Sequence, residues 1–216
     1  MHLRGSSGVE HWTHNPVVGS SNLPPAKFKG NSMIDRGQFQ QEIIETPLLE
    51  FNKLAKGFYS EDAVALLMGT AAIESYLGRY LRQLGTGPAK GPFQVEPLTA
   101  IDNFDNYIRF RGDLYDGIRW YMSKRLTVTI FDSKGKMYDK IAVTRELEQE
   151  LTTNFAFNML MARIKYKRSP LPLPDRNNIK AMSEYWELVY QGDPSKTIGE
   201  TAEEFVDSYN RCVLGL

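Results

Sequence analysis

Residues 60–75, SEDAVALLMGTAAIES, constrain the fold more than any other stretch of the chain. Ser60 is suited to cap a helix, and Glu61 and Asp62 suit its first turn, where acceptors and negative charge meet unpaired N–H groups. At roughly 100° per residue, Val64, Leu67, Met68 and Ala71 share one face, yet Leu66 and Ile73 lie on the opposite one. A helix apolar on every side has no surface to offer water, so it must run through the centre of a domain. One charge breaks the pattern. Glu74 falls about 60° from Ala71 and about 20° from Leu67, beside the apolar stripe rather than across from it.

The remaining segments read as the shell around that helix. From Asp35 to Lys56 the pattern is helical, with Phe39, Ile43, Leu48 and Phe51 on one face and a second helix able to start at Pro47. Gly85, Gly87, Pro88 and Gly91 forbid regular structure between Leu84 and Gly91. Leu98 to Met122 predicts two helices separated near Gly112. Leu126–Asp132 alternates, and Met137–Val143 can pair with it across residues 133–136, which predicts a β-hairpin. Helix is expected again from about Arg145 to Lys167, stopped by Ser169-Pro170. The Leu-Pro-Leu-Pro run at 171–174 is an extended connector. Arg176–Tyr190 predicts another helix, and Thr201 with Glu204 makes a capping box for the last, Ala202 to about Val213. The expected fold class is mainly α: one helical domain over residues 33–216, with a buried central helix and a small β-hairpin.

Composition narrows the chemistry. The 216 residues suffice for one sizeable core, and 42% apolar with 24% charged residues is ordinary for a folded domain. Lys plus Arg and Asp plus Glu balance at 26 each, so there is no global basic field, and nucleic acid is not an expected partner. The one local candidate is Arg163, Lys165, Lys167 and Arg168, a density that usually marks a solvated helix face. A lone Cys212 excludes an intrachain disulfide and a cysteine metal site. His2, His11 and His14 all precede the folded body, which excludes a histidine dyad or zinc site within it. No cofactor or metal is therefore expected, and no run is long enough to span a membrane. Chemistry must come from carboxylates, hydroxyls, amides or tyrosine.

Residues 1 to about 32 are rich in Gly, Ser, Pro and Asn, and predict a disordered leader without a signal peptide. Val18 to Leu23 can be encoded by GTT-GGG-AGT-TCG-AAT-CTC, which contains GTTCGAATC, similar to the T-arm of a transfer-RNA gene. Two readings stand side by side: read-through of such a gene with the native start at Met33, or an ordinary leader.

Burial and the negative end of the helix dipole both disfavour an ionised Glu74. Both push it toward holding a proton near neutral pH, as a general acid for a glycosidic bond must. The competing reading is a carboxylate neutralised by Arg79 or Arg82. The residues after Glu74 bear on the choice. Glu74-Ser75, a glycine-rich connection, then Gly91, Gln94, Val95 and Pro97 resemble the lytic transglycosylase and goose-type lysozyme pattern, in which an E-S pair closes the central helix and a G-x-x-Q-x-x-P segment comes after a loop. More narrowly, ESYLGRYLRQLGTGPAKGPFQVEPLTAIDNFDNYIRFR is similar to lysozyme-like proteins encoded by tailed bacteriophages, and MARIKYKRSPLPLP, EYWELVYQGD and EEFVDSY extend the resemblance more weakly.

The resemblance implies cleavage of the β-1,4 bond between N-acetylmuramic acid and N-acetylglucosamine in peptidoglycan. Glu74 would protonate the glycosidic oxygen and then act as base, with no second catalytic carboxylate needed if the muramoyl 6-hydroxyl attacks internally. Ser75 would hold Glu74 or contact the sugar, Gln94 would hydrogen-bond sugar or backbone, and Phe93 would offer a flat stacking surface or serve as core. Glu96 either positions a water, favouring hydrolysis, or is a solvated loop charge. Tyr166, Tyr185 and Tyr190 compete for the family's late cleft tyrosine. The family's Tyr-Asn-x-Gly segment has no clear counterpart. Removing residues 1–32 leaves a body charge of about −2, unlike many wall-lytic enzymes with basic surfaces. Weak intrinsic wall affinity fits delivery by a larger particle, so other virion or tail proteins are expected partners. The expected location is a phage virion, or the host cytoplasm before release. A non-catalytic lysozyme-like structural component of a tail or virion is the alternative.

Overall fold

A computed structural model of the chain describes residues 34–131, 140–192 and 201–216. In chain order the helices are α1 (Arg36–Gln38), α2 (Thr46–Leu54), α3 (Glu61–Ser75), α4 (Pro97–Asn106), α5 (Gly112–Arg119), α6 (Lys124–Phe131), α7 (Lys140–Thr153), α8 (Phe155–Lys167), α9 (Ile179–Trp186) and α10 (Ala202–Tyr209). Wider π-type turns join or extend them at Phe39–Glu45, Glu187–Gln191 and Asn210–Leu214, and a 3-10 turn lies at Ile108–Phe110. The mainly α class holds. The leader and the proposed start at Met33 lie outside the described residues.

The central helix is α3, as its composition demands. The Ser60 hydroxyl accepts from the Ala63 N–H at 3.1 Å and starts it. Between Ala63 and Ser75 every residue is buried except Ala65 and Glu74. The first π-type turn, α8, α9 and α10 pack around it. Gly69 permits a close approach by α10, because a Cβ there would lie 2.2 Å from Cζ of Phe205. With that room, the Phe205 ring is fully buried, worth roughly 1.5–3 kcal/mol of transfer energy. Thr201 and Glu204 form the expected capping box that begins α10.

Two expectations need correction. The hairpin is not formed. Residues 124–131 and 140–143 are helical, residues 132–139 lie outside the described segments, and no named strand occurs among the described residues. The β-branched run fits a helix because Thr127 and Thr129 turn their hydroxyls back to the carbonyls of Ser123 and Arg125, each at 2.9 Å. On the facing helix, Val143, Leu147 and Leu151 repeat every fourth residue and are all buried, so the helical period wins over the alternation. The long helix expected to Lys167 is two helices. Asn154 separates them, accepting from the Phe157 N–H and donating to the Tyr121 carbonyl at 2.8 Å and the Glu150 carboxylate at 2.6 Å. As expected, a second helix starts at Pro47, which lies in the first turn of α2, and a π-type turn leads directly into it.

The basic cluster is not one solvated face. At about 100° per residue, positions 163 and 167 share one side of the helix and 165 and 168 another. Arg163 is buried and donates to the Phe58 carbonyl at 2.8 Å, while Lys167 donates to the Gly57 carbonyl at 2.9 Å. Lys165 and Arg168 turn toward α4 and the Glu187–Gln191 turn, where they enter the site below. No helix among the described residues is long and apolar enough to cross a membrane.

Candidate active site

Glu74 is the next-to-last residue of α3 and is half-buried, while its neighbour Ser75 is 1% exposed. The two adjacent side chains have opposite tasks. The Ser75 hydroxyl donates to the Pro92 carbonyl at 2.6 Å and accepts from the Gly78 N–H at 2.8 Å. It therefore ties the end of α3 to the 90–95 loop and does not line an open surface. Glu74 instead accepts a hydrogen bond at 3.2 Å from Gln191 Nε2, 117 residues downstream. Sequence reasoning missed Gln191. Its only local sign is its place in the EYWELVYQGD segment.

The loop that carries the G-x-x-Q-x-x-P pattern is short and fastened at many points. Lys90 and Val95 exchange both backbone hydrogen bonds, at 3.1 and 3.0 Å. Asn158 on α8 holds the enclosed backbone, accepting from the Phe93 N–H at 2.9 Å and donating to the Lys90 carbonyl at 3.0 Å. Tyr190 donates its hydroxyl to the Phe93 carbonyl at 2.6 Å. Gly91 is obligatory here. Its φ is +73°, and a Cβ would lie 2.2 Å from the Leu151 carbonyl oxygen and 2.5 Å from Asn158 Cγ. Gln94 sits at φ +44° and donates its amide to the Gly91 carbonyl at 2.7 Å, so its side chain braces the turn.

Phe93 is a correction. It is 0% exposed, and its ring packs 6.3 Å from that of Phe39, so it is core rather than a sugar platform. The Tyr166 expectation is corrected in the same way. Its ring is 1% exposed between Tyr185 and Tyr190, at centroid distances of 5.8 and 5.1 Å, and its hydroxyl pairs with that of Thr70 at 2.7 Å. Burial raises the pKa of Tyr166 and Tyr190 well above the ordinary phenol value, and in both the Glu74 carboxylate adds to the rise. Of the three tyrosines, Tyr190 is the one bonded to the loop. Glu96 is exposed at the start of α4, with no side-chain capping bond.

Lys165 completes the cluster. Its ammonium donates to the Tyr190 carbonyl and lies 4.5 Å from the centre of that ring. Burial holds its pKa below the ordinary lysine value, opposed by the carboxylates of Glu74 and Glu96 and aided by Arg168. Both carboxylates thus act on one ammonium. Of this cluster Lys165 alone lines an open groove of about 580 Å³, shared with Leu98, Thr99 and Asp102 from α4, Arg168 and Ser169 after α8, and Val189.

Backbone strain collects at the same place. Among the described residues, the non-glycine residues with positive φ are Tyr76 (+52°), Leu77 (+56°) and Gln94 (+44°), all at the exit of α3 or in the loop bonded to it. Such conformations cost about 1–3 kcal/mol each and are typically retained at functional sites. Among the described residues no group of three or more His, Cys, Asp or Glu side chains is placed to hold a metal ion. Chemically, the arrangement presents one half-buried carboxylate with an amide donor, close enough to two buried tyrosines and an ammonium to act on them electrostatically. Comparison of the chain with family models, curated proteins and solved structures returned no match.

Proposed function

We propose that the chain is a peptidoglycan glycosidase, a lytic transglycosylase or lysozyme carried with a tailed-phage virion, with Glu74 as its general acid and base. The observation that carries the reading is the state of Glu74 within α3: a half-buried carboxylate at the end of a buried helix, next to a strained and fastened loop and held by the Gln191 amide.

In the reaction, the proton of Glu74 passes to the bridging oxygen as the bond from that oxygen to C1 of N-acetylmuramic acid breaks. The N-acetylglucosamine end leaves as an alcohol. The Glu74 carboxylate then takes a proton from the muramoyl 6-hydroxyl as its oxygen bonds to C1, giving a 1,6-anhydro end. If water attacks instead, it loses its proton to Glu74 and leaves a reducing end. Gln191 holds the carboxylate through this exchange. Glu96, exposed beside the loop, is the carboxylate to examine if water is the nucleophile.

The test is mass spectrometry of purified peptidoglycan digested with the full chain and with Glu74→Gln. Anhydromuramic ends from the parent alone would establish a transglycosylase, and reducing ends from the parent alone a lysozyme. Equal products from both proteins would overturn the role of Glu74. No product from either folded protein would leave the non-catalytic virion component as the better reading.

A further inference from the structure

The face of α3 that carries Glu74 is covered by α8. Thr70 and Glu74 lie four residues apart on that face, and the Thr70 hydroxyl pairs with that of Tyr166 on α8 at 2.7 Å. Lys165, the residue before Tyr166, donates its ammonium to the Tyr190 carbonyl and lies 4.5 Å from the centre of that ring. Gln191 follows Tyr190, and its amide donates to the Glu74 carboxylate at 3.2 Å. Lys165 therefore grips the turn one residue before the amide that holds Glu74.

Its charge acts at the same place. Burial disfavours the Lys165 ammonium, the carboxylates of Glu74 and Glu96 oppose that loss, and Arg168 adds to it. Coulomb interaction is mutual, so the ammonium favours the ionised form of Glu74 in return. The other titratable groups at this corner come from several elements. Burial, and then the Glu74 carboxylate, keep the phenols of Tyr166 and Tyr190 protonated. Tyr185 from α9 stacks on Tyr166, and Arg79 and Arg82 follow along the exit of α3. The first π-type turn and α10 approach α3 with rings, Phe39 at Gly78 and Phe205 at Gly69.

We propose that Lys165 is a positioning residue for Glu74: it fixes the turn that aims the Gln191 amide, and its ammonium favours the carboxylate form in which Glu74 acts as base. The inference deepens the glycosidase reading, on which it rests. That reading asks Glu74 to give up a proton and then to take one back, so neither form can be held too firmly. A half-buried place at the negative end of a helix favours the acid. Lys165 supplies the opposing charge.

Carbon-13 nuclear magnetic resonance of the full chain, labelled at the glutamate carboxyls, follows Glu74 directly, its signal assigned by its loss in Glu74→Gln. In Lys165→Met the Glu74 titration midpoint should rise by about half to one pH unit, the effect of losing one nearby charge in a half-buried site. The Gln191 side-chain amide signal should move in the same variant. Lys165→Arg keeps the charge and should leave the midpoint near that of the parent. The reciprocal measurement is a nitrogen-15 titration of the Lys165 ammonium, whose midpoint should fall by a like amount in Glu74→Gln. An unchanged Glu74 midpoint in Lys165→Met, or an equal rise in Lys165→Arg, overturns the proposal. So does an unmoved Gln191 signal, or an unmoved Lys165 midpoint in Glu74→Gln, a result that stands even if Lys165→Met fails to fold. Neither titration depends on turnover, so the glycosidase reading is judged separately, by the Glu74→Gln digestion.

Discussion

The Lys90–Val95 loop and the Glu187–Gln191 turn both reach the end of α3, and they are built in opposite ways. The loop is closed on itself by paired backbone bonds and held from outside by Ser75, Asn158 and Tyr190, with its glycine wedged against Leu151 and Asn158. The turn instead reaches outward with its side chains. It donates the Tyr190 hydroxyl to the loop and the Gln191 amide to Glu74, with Leu188 55% exposed on its outer side. The comparison teaches that the residues most legible as a motif build the frame, while a residue with no motif of its own touches the carboxylate. Changes in the loop should therefore appear as stability, and changes at the turn as activity.

Glu74→Gln sets the upper end of the scale. On the proposed mechanism it should lower turnover by roughly 10²–10⁴-fold, measured as products released from peptidoglycan, with little change in unfolding temperature. Gly91→Ala should be the largest structural break. A methyl group 2.2 Å from a carbonyl oxygen at φ +73° must displace the loop. The expected loss is about 2–4 kcal/mol by denaturant unfolding. If Gly91→Ala were instead neutral in stability and inactive, the division between frame and contact would fail.

Gln191→Ala sharpens the other side. It removes one hydrogen bond of 3.2 Å to Glu74 from a half-buried residue. Activity should fall by roughly two- to tenfold while stability changes by under about 0.5 kcal/mol, which kinetics and thermal unfolding on the same samples would check. The smallest effect is expected at the groove rim. The Arg168 hydrogen bond, then that of Asn106, holds the Asp102 carboxyl below its ordinary range. Such a depressed acid contributes stability above about pH 4 that is lost as pH falls through its folded value. Asp102→Asn should remove that loss. With the two side chains 28% and 48% exposed, the difference between acid-unfolding curves should stay below about 1 kcal/mol.

Much of the frame was legible because local chemistry wrote it. An all-round apolar stretch can only be buried, Ser60 and Thr201 carry capping oxygens at the right offset, and the glycine-rich connection excludes regular structure. The hairpin was misread for a physical reason. Alternation over residues 126–132 and a fourfold repeat over 143–151 were both present, and packing of α6 on α7 chose between them. Phe93 and Tyr166 failed as surface residues because sequence says which side chains are aromatic, not which of them the neighbouring helices cover.

By itself, the sequence determined a mainly helical body, a central buried helix and a carboxylate at its end, because periodicity and capping act within a few residues. Only the tertiary structure decided that Ser75 would turn inward and that Gln191 would reach Glu74. It also decided that Lys165 would donate to the Tyr190 carbonyl at the wall of a groove. Those facts join segments as many as 117 residues apart. Contacts at that range are set by how helices pack, and no local pattern encodes them.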